Sequence, residues 1–367
     1  MRPAPKRKSA NKAGQVLEQL ASAGERTTLV VDGHELPVTS LEKPLWPGAG
    51  RRRGATKRDL LRYLARVAPH LLPHLADRPL FVTRFPDGVA GKSFFQKHWE
   101  PAPPFARTVR IHSAHNERDG DYLICDNVAT LLWLGQMAGL ELHAWFSRVN
   151  PEPDARGRSR KFTGSEAALE RSILNYPDFI VFDLDPYVYS GREGRGEEPE
   201  LHRRAFARVR RLALRIREIL ESLKLTTFIK TSGRTGLHLC LPIVRDLDFD
   251  AARGVAETIA RHVQRERPKD VTVEWAVRRR TGKIFFDFNQ NSRGKSLATP
   301  FSPRRHAAAT VSMPIAWDEL ERVYPTDFTL HTVPDRLDSE GDPWAGILDA
   351  RQDLAGALEA SGAGSAR

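Results

Sequence analysis

Apolar and polar positions change period repeatedly along this chain, and each change marks an element. Residues 15–21 (QVLEQLA) have helical spacing and predict a short helix. TTLVVDGHELPVT (27–39) alternates about Asp32-Gly33, the pattern of a two-residue hairpin. TKRDLLRYLARVAPHLLPHL (56–75) returns to the helical period, with Thr56 as N-cap and Pro73 near the end. RPLFVTRFPDGVAGKSFFQKH (78–98) reads as strand, Pro-Asp-Gly turn and second extended segment. NVATLLWLGQMAGL (127–140) predicts a buried helix running into a short extended ELHAW, and the breaker-rich stretch 150–166 predicts a loop.

The second half is more regular. FIVFDLDP (179–186) reads as a strand and residues 191–200 as a charged loop, followed by a long amphipathic helix over 201–223. TTFIKTSGRTGLHLCLPI (226–243) predicts strand, glycine turn, strand; 249–268 predicts a helix; TVEWAV (272–277) a strand; and GKIFFDFNQNSRG (282–294) a strand entering a loop. Mixed strands and helices predict an α+β architecture, with central mixed sheets flanked by helices. The division expected is a flexible basic tail at 1–14, a main unit at 15–350 with parts at about 15–165 and 166–350, and a C-terminal helix or flexible tail at 351–367.

Composition narrows the partners. Lysine and arginine number 57 against 46 acidic residues, a net charge of +11, which implies an anionic partner such as nucleic acid or anionic lipid, or a generally solvated basic surface. Cys125 and Cys240 are the only cysteines, which excludes a disulfide framework or cysteine-rich zinc site and fits a reducing cytoplasm. Apolar runs are too short for a membrane span, and the basic N-terminus is followed by no apolar signal core, so no membrane association is expected.

Candidate chemistry begins where the apolar run FIVF ends in Asp-Leu-Asp. Side chains two apart on a strand share a face, so Asp183 and Asp185 are like charges side by side, a costly arrangement unless a cation or proton lies between them. A hard divalent metal is one remedy; caps and turns are the bland alternative. Asp287 in KIFFDFNQN is a third candidate, and three carboxylates from two strands could hold two metals for in-line phosphoryl transfer. KTSGRTGLHL places Lys230, Thr231, Ser232 and His238 around two glycines, with Arg234 as a further donor, either a phosphate-binding turn or an ordinary hairpin. SRGKSLATPFSPRR adds Arg293, Lys295, Arg304 and Arg305, whose donors suit triphosphate oxygens. Gly294-Lys295-Ser296 is not a P-loop, because Asn289 stands at the leading glycine position. Phe94 and Phe95 adjoin Lys97; adjacent strand positions face opposite ways, so at most one ring is expected in solvent.

SLEKPLWP, RFPDGVAGKSFFQKH, LELHAW, FIVFDLDP, KTSGRTGLHL, FFDFNQNSRGKSLATPFSPR and TLHTVPDRL…GDPW occur in one order over about Thr27 to Ile347. On these segments the chain resembles the polymerase domain of bacterial ligase D, within the archaeo-eukaryotic primase superfamily. The resemblance implies that fold and a template-directed nucleotidyltransferase that adds ribo- or deoxyribonucleotides at gaps and broken ends in end joining or gap-filling repair. It implies two manganese or magnesium ions on Asp183, Asp185 and Asp287, and a nucleoside triphosphate substrate. His143, Ser232, Arg234, His238, Gln290, Lys295 and Arg304 are the nucleotide-side residues it suggests. Phe94, Phe95, Arg84 and Lys97 match the template side, and Lys43 and Lys57 match lysines that grip a 5′-phosphate. Thr235 stands where the family often has lysine, which leaves Arg234 as the cation, and Ser40 stands where it often has asparagine.

The partners expected are gapped or broken DNA carrying a 5′-phosphate, a separate ligase and a Ku-type protein, with the chain a nucleoid-associated cytoplasmic monomer; no Lys-x-Asp-Gly ligase motif occurs. Two rivals remain. A haloacid-dehalogenase-type phosphatase also uses D-x-D, but Pro186 and Tyr187 follow Asp185 where D-x-D-x-[TV] is wanted. A basic DNA-binding module without catalysis is the non-enzymatic rival.

Overall fold

A computed structural model of the chain describes residues 6–113, 116–186 and 200–358, with side chains from residue 13 onward. The charged loop expected at 191–200 and the ASGAGSAR tail lie almost wholly outside the described residues.

Helix α1 (Lys6–Ser22) starts well before the stretch its apolar positions mark, inside the expected tail, because periodicity reports only the turns that bury a face. Strands β1 (Thr27–Val31) and β2 (His34–Val38) form the expected hairpin, with Asp32 and Gly33 both at positive φ (53° and 80°) in the turn. β3 (Pro44–Trp46) and β4 (Ala55–Thr56) pair antiparallel and lead into α2 (Lys57–Leu75), where Thr56 and Asp59 close a capping box.

β5 (Pro79–Arg84) then pairs with the three-residue β6 (Phe94–Gln96). The hairpin β7 (Arg107–Ser113) and β8 (Arg118–Ile124), which the pattern analysis passed over, precedes α3 (Val128–Gln136) and β9 (Gly139–Trp145). α4 (Glu166–Glu170) ends the first half. β10 (Phe179–Asp185), α5 (Arg203–Ser222), β11 (Phe228–Thr231), β12 (Leu237–Pro242), α6 (Phe249–Glu266), β13 (Val271–Thr272) and β14 (Ile284–Asp287) follow. β15 (Ser296–Ala298), β16 (Pro314–Ile315) and α7 (Val333–Glu340) complete the fold.

The elements make the expected mixed α+β arrangement around two six-stranded sheets. One runs β15-β9-β5-β8-β7 with β6 on β5; the other runs β13-β14-β10-β12-β11-β16. β15, from the C-terminal half, completes the N-terminal sheet by pairing with β9 and so stitches the two halves together. β10 lies between β14 and β12 with both faces covered, which is why its sequence is a continuous apolar run rather than an alternation. Ile180, Phe182 and Leu184 join the core that includes Phe206 and Val209 of α5 and Ala256 and Ala260 of α6. Val181 packs on the other face with Phe146, Cys240 and Trp344, with Phe179 against them.

TVEWAV is not one strand. β13 stops at Thr272, whose Oγ1 accepts from the Glu274 N–H at 3.2 Å; Trp275 is exposed, and Val277–Arg279 is a single 3₁₀ turn. The hydroxyl offers the backbone a turn in place of the ladder. Among the described residues no helix is long and apolar enough to cross a membrane, and both cysteines are buried free thiols.

One buried ionic cluster lies just before β10. Asp178 is fully buried, within 2.7 Å of Arg78 and 2.8 Å of Arg148, with Arg245 at 3.5 Å. Arg245 also bridges to Asp154 at 2.6 Å and donates to the Asn150 and Glu152 carbonyls, tying the 150–154 loop to the sheet. Burial alone would push the Asp178 carboxyl up, but the three arginines outweigh it and hold the group below its usual range.

Candidate active site

Register brings the carboxylates together. Asp183 of β10 lies directly between His238 of β12 and Asp287 of β14, and Asp185 is opposite Phe285. Side chains of one phase share a face, so Asp183, Asp185, Asp287, His238 and Lys230 all project from the side of the sheet away from α5 and α6. Asn291 holds this strand where β14 leaves it: its amide accepts from the Val181 N–H and donates to the Val181 carbonyl, both at 2.8 Å. Nothing in the sequence pattern singled out Asn291.

The electrostatics are strained. Asp183 is 3% exposed, and its Oδ1 has no hydrogen-bond partner. Burial first, then the charges of Asp185 and Asp287, push its carboxyl well above the usual range. Asp287 is raised by burial too, although Asn289 N–H donates to its Oδ1 at 3.0 Å and the Gln290 amide to its Oδ2 at 3.3 Å. Arg280 and Lys295 supply the cationic field that partly offsets Asp287. Arg280 was not a sequence candidate; it lies buried with its guanidinium 3.4 Å from the Phe285 ring centre.

Beneath Asp183 is a buried polar chain. The Lys230 ammonium is 2.8 Å from His238 Nδ1, and His238 Nε2 faces Asp183 Oδ1 at 3.3 Å without the alignment of a hydrogen bond. Burial lowers Lys230 to about 7, and burial together with Lys230 and Arg304 keeps His238 neutral. With Lys230 donating to Nδ1, the imidazole proton lies on Nε2, toward Asp183. His238 is therefore held under the carboxylate rather than displayed on the surface, and it also lines a cavity of about 50 Å³ between the two sheets with Val181, Cys240 and Trp344.

The glycine turn is a packed structural piece. Ser232 Oγ accepts from the Arg234 and Gly236 N–H groups at 3.2 and 3.0 Å. Gly233 sits at φ +74°, and a Cβ there would come within 2.7 Å of the Val311 backbone; one on Gly236 would come within 2.4 Å of the Leu184 carbonyl. Gly236 lets the turn press against the carboxylate strand, and Gly233 lets it press against the Val311–Ser312 backbone. Thr235 is buried behind it.

The opposing sheet contributes Glu141 and His143 from one face of β9. Glu141 Oε1 lies 3.4 Å from Arg304 Nε and accepts from the Arg305 N–H at 2.8 Å. Burial opposes its charge, but Arg304, His143 and that N–H hold Glu141 well below the usual carboxylate range. His143 is 3.7 Å from Glu141 and kept neutral by burial. Glu141 escaped the sequence reading, although its two-residue spacing to His143 puts both on one face. Arg304 acts electrostatically on Asp183, His238, His143 and Lys230 alike, so its charge pervades the site. Arg293 and Arg305 do not serve it: Arg293 is paired with Glu166, and Arg305 reaches the Val89 carbonyl beside the Phe85 ring.

Among the residues expected on the template side, both Phe94 and Phe95 are exposed, at 57% and 54%, against the expectation of one at most. β6 is a three-residue strand paired only with β5, and neither ring is buried. Phe95 packs beside Phe81 at 5.4 Å and His143 at 6.0 Å, and Lys97 lies over the Phe81 and Phe95 rings. Arg84 spends its donors internally, on the Met137 carbonyl and on Gln96. Lys43 and Lys57 stand at the two ends of the β3–β4 hairpin. Lys43 pairs with Asp87 at 3.0 Å, and Lys57 donates to the Thr39 carbonyl, its pKa lowered by burial and by Lys43. Ser40, at φ +54°, supplies the carbonyl that accepts from the Lys43 N–H.

Among the described residues no three His, Cys, Asp or Glu side chains form a ready-made metal cluster. The donor set nonetheless fits a hard divalent cation: three oxygen-bearing side chains on adjacent strands, two with raised pKa and one with an orphaned buried oxygen.

Comparison with known proteins converges on one family. The model of the LigD primase-polymerase domain matches residues 56–344. The multifunctional non-homologous end joining protein LigD of Pseudomonas aeruginosa is 31% identical over 307 residues, 83% of this chain and 32% of that protein. The bifunctional LigD of Bacillus subtilis is 28% identical over 322 residues, 87% of this chain and 45% of that protein. The chain thus spans less than half the length of these curated relatives. The solved polymerase domain of Mycobacterium tuberculosis ligase D, in complex with DNA, superposes with a TM-score of 0.70 at 31% identity, over 86% of this chain and 98% of that one.

Proposed function

The chain belongs to the LigD primase-polymerase family, and on that premise we propose that it is a template-directed nucleotidyltransferase of DNA end-joining or gap-filling repair. The observation that carries this reading is the mutually repelling set Asp183, Asp185 and Asp287 on adjacent strands, with Asp183 and Asp287 buried. These carboxylates hold the divalent ions, manganese or magnesium. When bound, such ions make a primer 3′-hydroxyl more acidic and neutralise charge on a triphosphate.

The protein's own groups do the rest by position and charge. His238, backed by Lys230, lies against Asp183 from below and fills the space under its carboxylate. Arg304, braced by Glu141, sets a positive field where a triphosphate collects negative charge. Arg234 and Lys295 extend that field, and Gln290 steadies Asp287. Phe94 and Phe95 offer uncovered rings on which a base pair can stack, with Lys97 beside them. No general base is required, because positioning and charge stabilisation supply most of the rate in phosphoryl transfer.

The substrate is DNA with a gap or end whose 5′-phosphate lies on Lys43 and Lys57. Sealing falls to a DNA ligase activity outside these residues, and end capture to a Ku-type protein. The phosphatase alternative finds no support in the family match or the fold. Primer extension tests the reading, on gapped and blunt substrates with and without the 5′-phosphate, with manganese and with ribo- and deoxyribonucleotides. Template-dependent extension favoured by a 5′-phosphorylated gap is expected, and the preference disappears in Lys43→Ala with Lys57→Ala. Absence of extension on every substrate contradicts it.

A further inference from the structure

The loop between β3 and β4 carries three consecutive arginines, Arg51, Arg52 and Arg53, to which the site above gives no task. The hairpin is built onto the Arg304 segment: Gly48 N–H donates to the Ala307 carbonyl and Trp46 Nε1 to the Arg304 carbonyl, both at 3.0 Å. Its arginines are thereby held beside the nucleotide-side loop rather than waving free. Arg52 and Arg53 line a recess of about 360 Å³ with Asp327, Thr329 and His331. Arg53 approaches His331 Nδ1 at 3.1 Å and Asp59 at 3.3 Å; Arg52 reaches the Thr326 carbonyl and lies 3.8 Å from Asp327.

These pairings orient the guanidiniums without saturating them. The Arg53 side chain is 70% exposed and that of Arg52 43%, and each guanidinium carries five N–H donors. The arginines also fill a gap between known cations. Lys43 and Lys57 stand at the base of the hairpin, and the charges of both Arg52 and Arg234 act on His306 beyond it. The hairpin thus sets its arginines between the lysine pair and the Arg234 end of the glycine turn, with Asp59, Asp87 and Asp327 interspersed. A compact anion needs convergent donors; donors spread along a ridge, with carboxylates among them, suit a chain of regularly spaced phosphates.

We propose that the Arg51–Arg53 hairpin, with His331, is a second phosphate-binding station that grips the nucleic-acid backbone beyond the 5′-phosphate held by Lys43 and Lys57. This rests on the polymerase reading. It adds a contact on this chain's own arginine hairpin, and binding tests it separately from chemistry.

The experiment is binding of the full chain to a 5′-phosphorylated gapped duplex across about 50 to 200 mM salt, read as the slope of log affinity against log salt. R52A/R53A is expected to weaken binding at low salt and make the slope shallower by about two, near one unit per lost phosphate contact. R52K/R53K keeps the charge and is expected to keep the slope. A folded R52A/R53A with wild-type affinity and slope overturns the proposal. Should R52A/R53A fail to fold, methylphosphonate substitution along the DNA decides with the wild-type protein. Loss of affinity at internal phosphates near the gap supports the station; loss at the 5′-terminal phosphate alone overturns it. Displacement of DNA from the wild type but not from R52A/R53A by polyglutamate as readily as by unlabelled DNA assigns the ridge to an acidic protein and also overturns it. Wild-type protein that binds no DNA would instead defeat the polymerase reading.

Discussion

Asp178 and Asp183 lie five residues apart, both buried at one end or the other of the same strand, and their surroundings drive them in opposite directions. Asp178 is enclosed by Arg78, Arg148 and Arg245 and is held ionised. Asp183 faces a neutral histidine and two further carboxylates, keeps an orphaned oxygen, and is pushed toward its protonated form. A buried charge that serves the fold brings its counter-ions from the chain, whereas one that serves chemistry leaves the place open for something that arrives later.

The sharpest way to break the comparison is to remove each carboxylate. Asp183→Asn and Asp287→Ala are expected to abolish primer extension, by at least about 10²–10³-fold, while gapped-DNA binding stays nearly intact; extension at the wild-type rate would end the assignment. Asp178→Asn leaves three arginines facing a neutral amide and is expected to cost roughly 3–5 kcal/mol in denaturant unfolding. A loss under about 1 kcal/mol would show that the cluster does not hold the fold.

The pH dependence separates the two groups by sign. The folded-state pKa of Asp183 lies above its unfolded value near 3.8, so the folded metal-free protein binds the extra proton, and stability falls as pH rises through that window. Asp178 is shifted down, so its contribution is present above 3.8 and is lost as pH falls through its folded value. Unfolding free energy against pH should therefore decline less steeply on the alkaline side of 3.8 in Asp183→Asn, with Asp287 supplying what remains; an unchanged profile contradicts the raised pKa. The smallest expected effect is at Ser40, whose φ of +54° suits asparagine better than serine. Ser40→Asn is expected to stabilise by under about 1 kcal/mol in thermal unfolding, and a destabilisation would refute that account.

The carboxylate strand was legible because burial on both faces writes itself as an unbroken apolar run, and the two-residue period then puts both aspartates on one side. The hairpin turn at Asp32-Gly33 and the Thr56 cap were legible for equally local reasons. What escaped depended on neighbours distant in the chain. Glu141 matters because Arg304 reaches it, and Asn291 because it replaces a missing ladder partner of Val181. Phe94 and Phe95 misled because alternation sorts faces only when the sheet continues, and β6 is a short edge that leaves both rings more than half exposed. Arg84 reads as a template-side cation and Arg293 as a triphosphate donor, yet their donors are committed within the fold.

Manganese binding followed by electron paramagnetic resonance on the full chain, wild type against Asp183→Asn, puts the question to the carboxylates without any turnover. Saturable uptake by the wild type and its loss in the folded variant is the predicted result. Equal uptake by both proteins, or none by the wild type, would contradict the claim that these aspartates are a site awaiting a divalent cation.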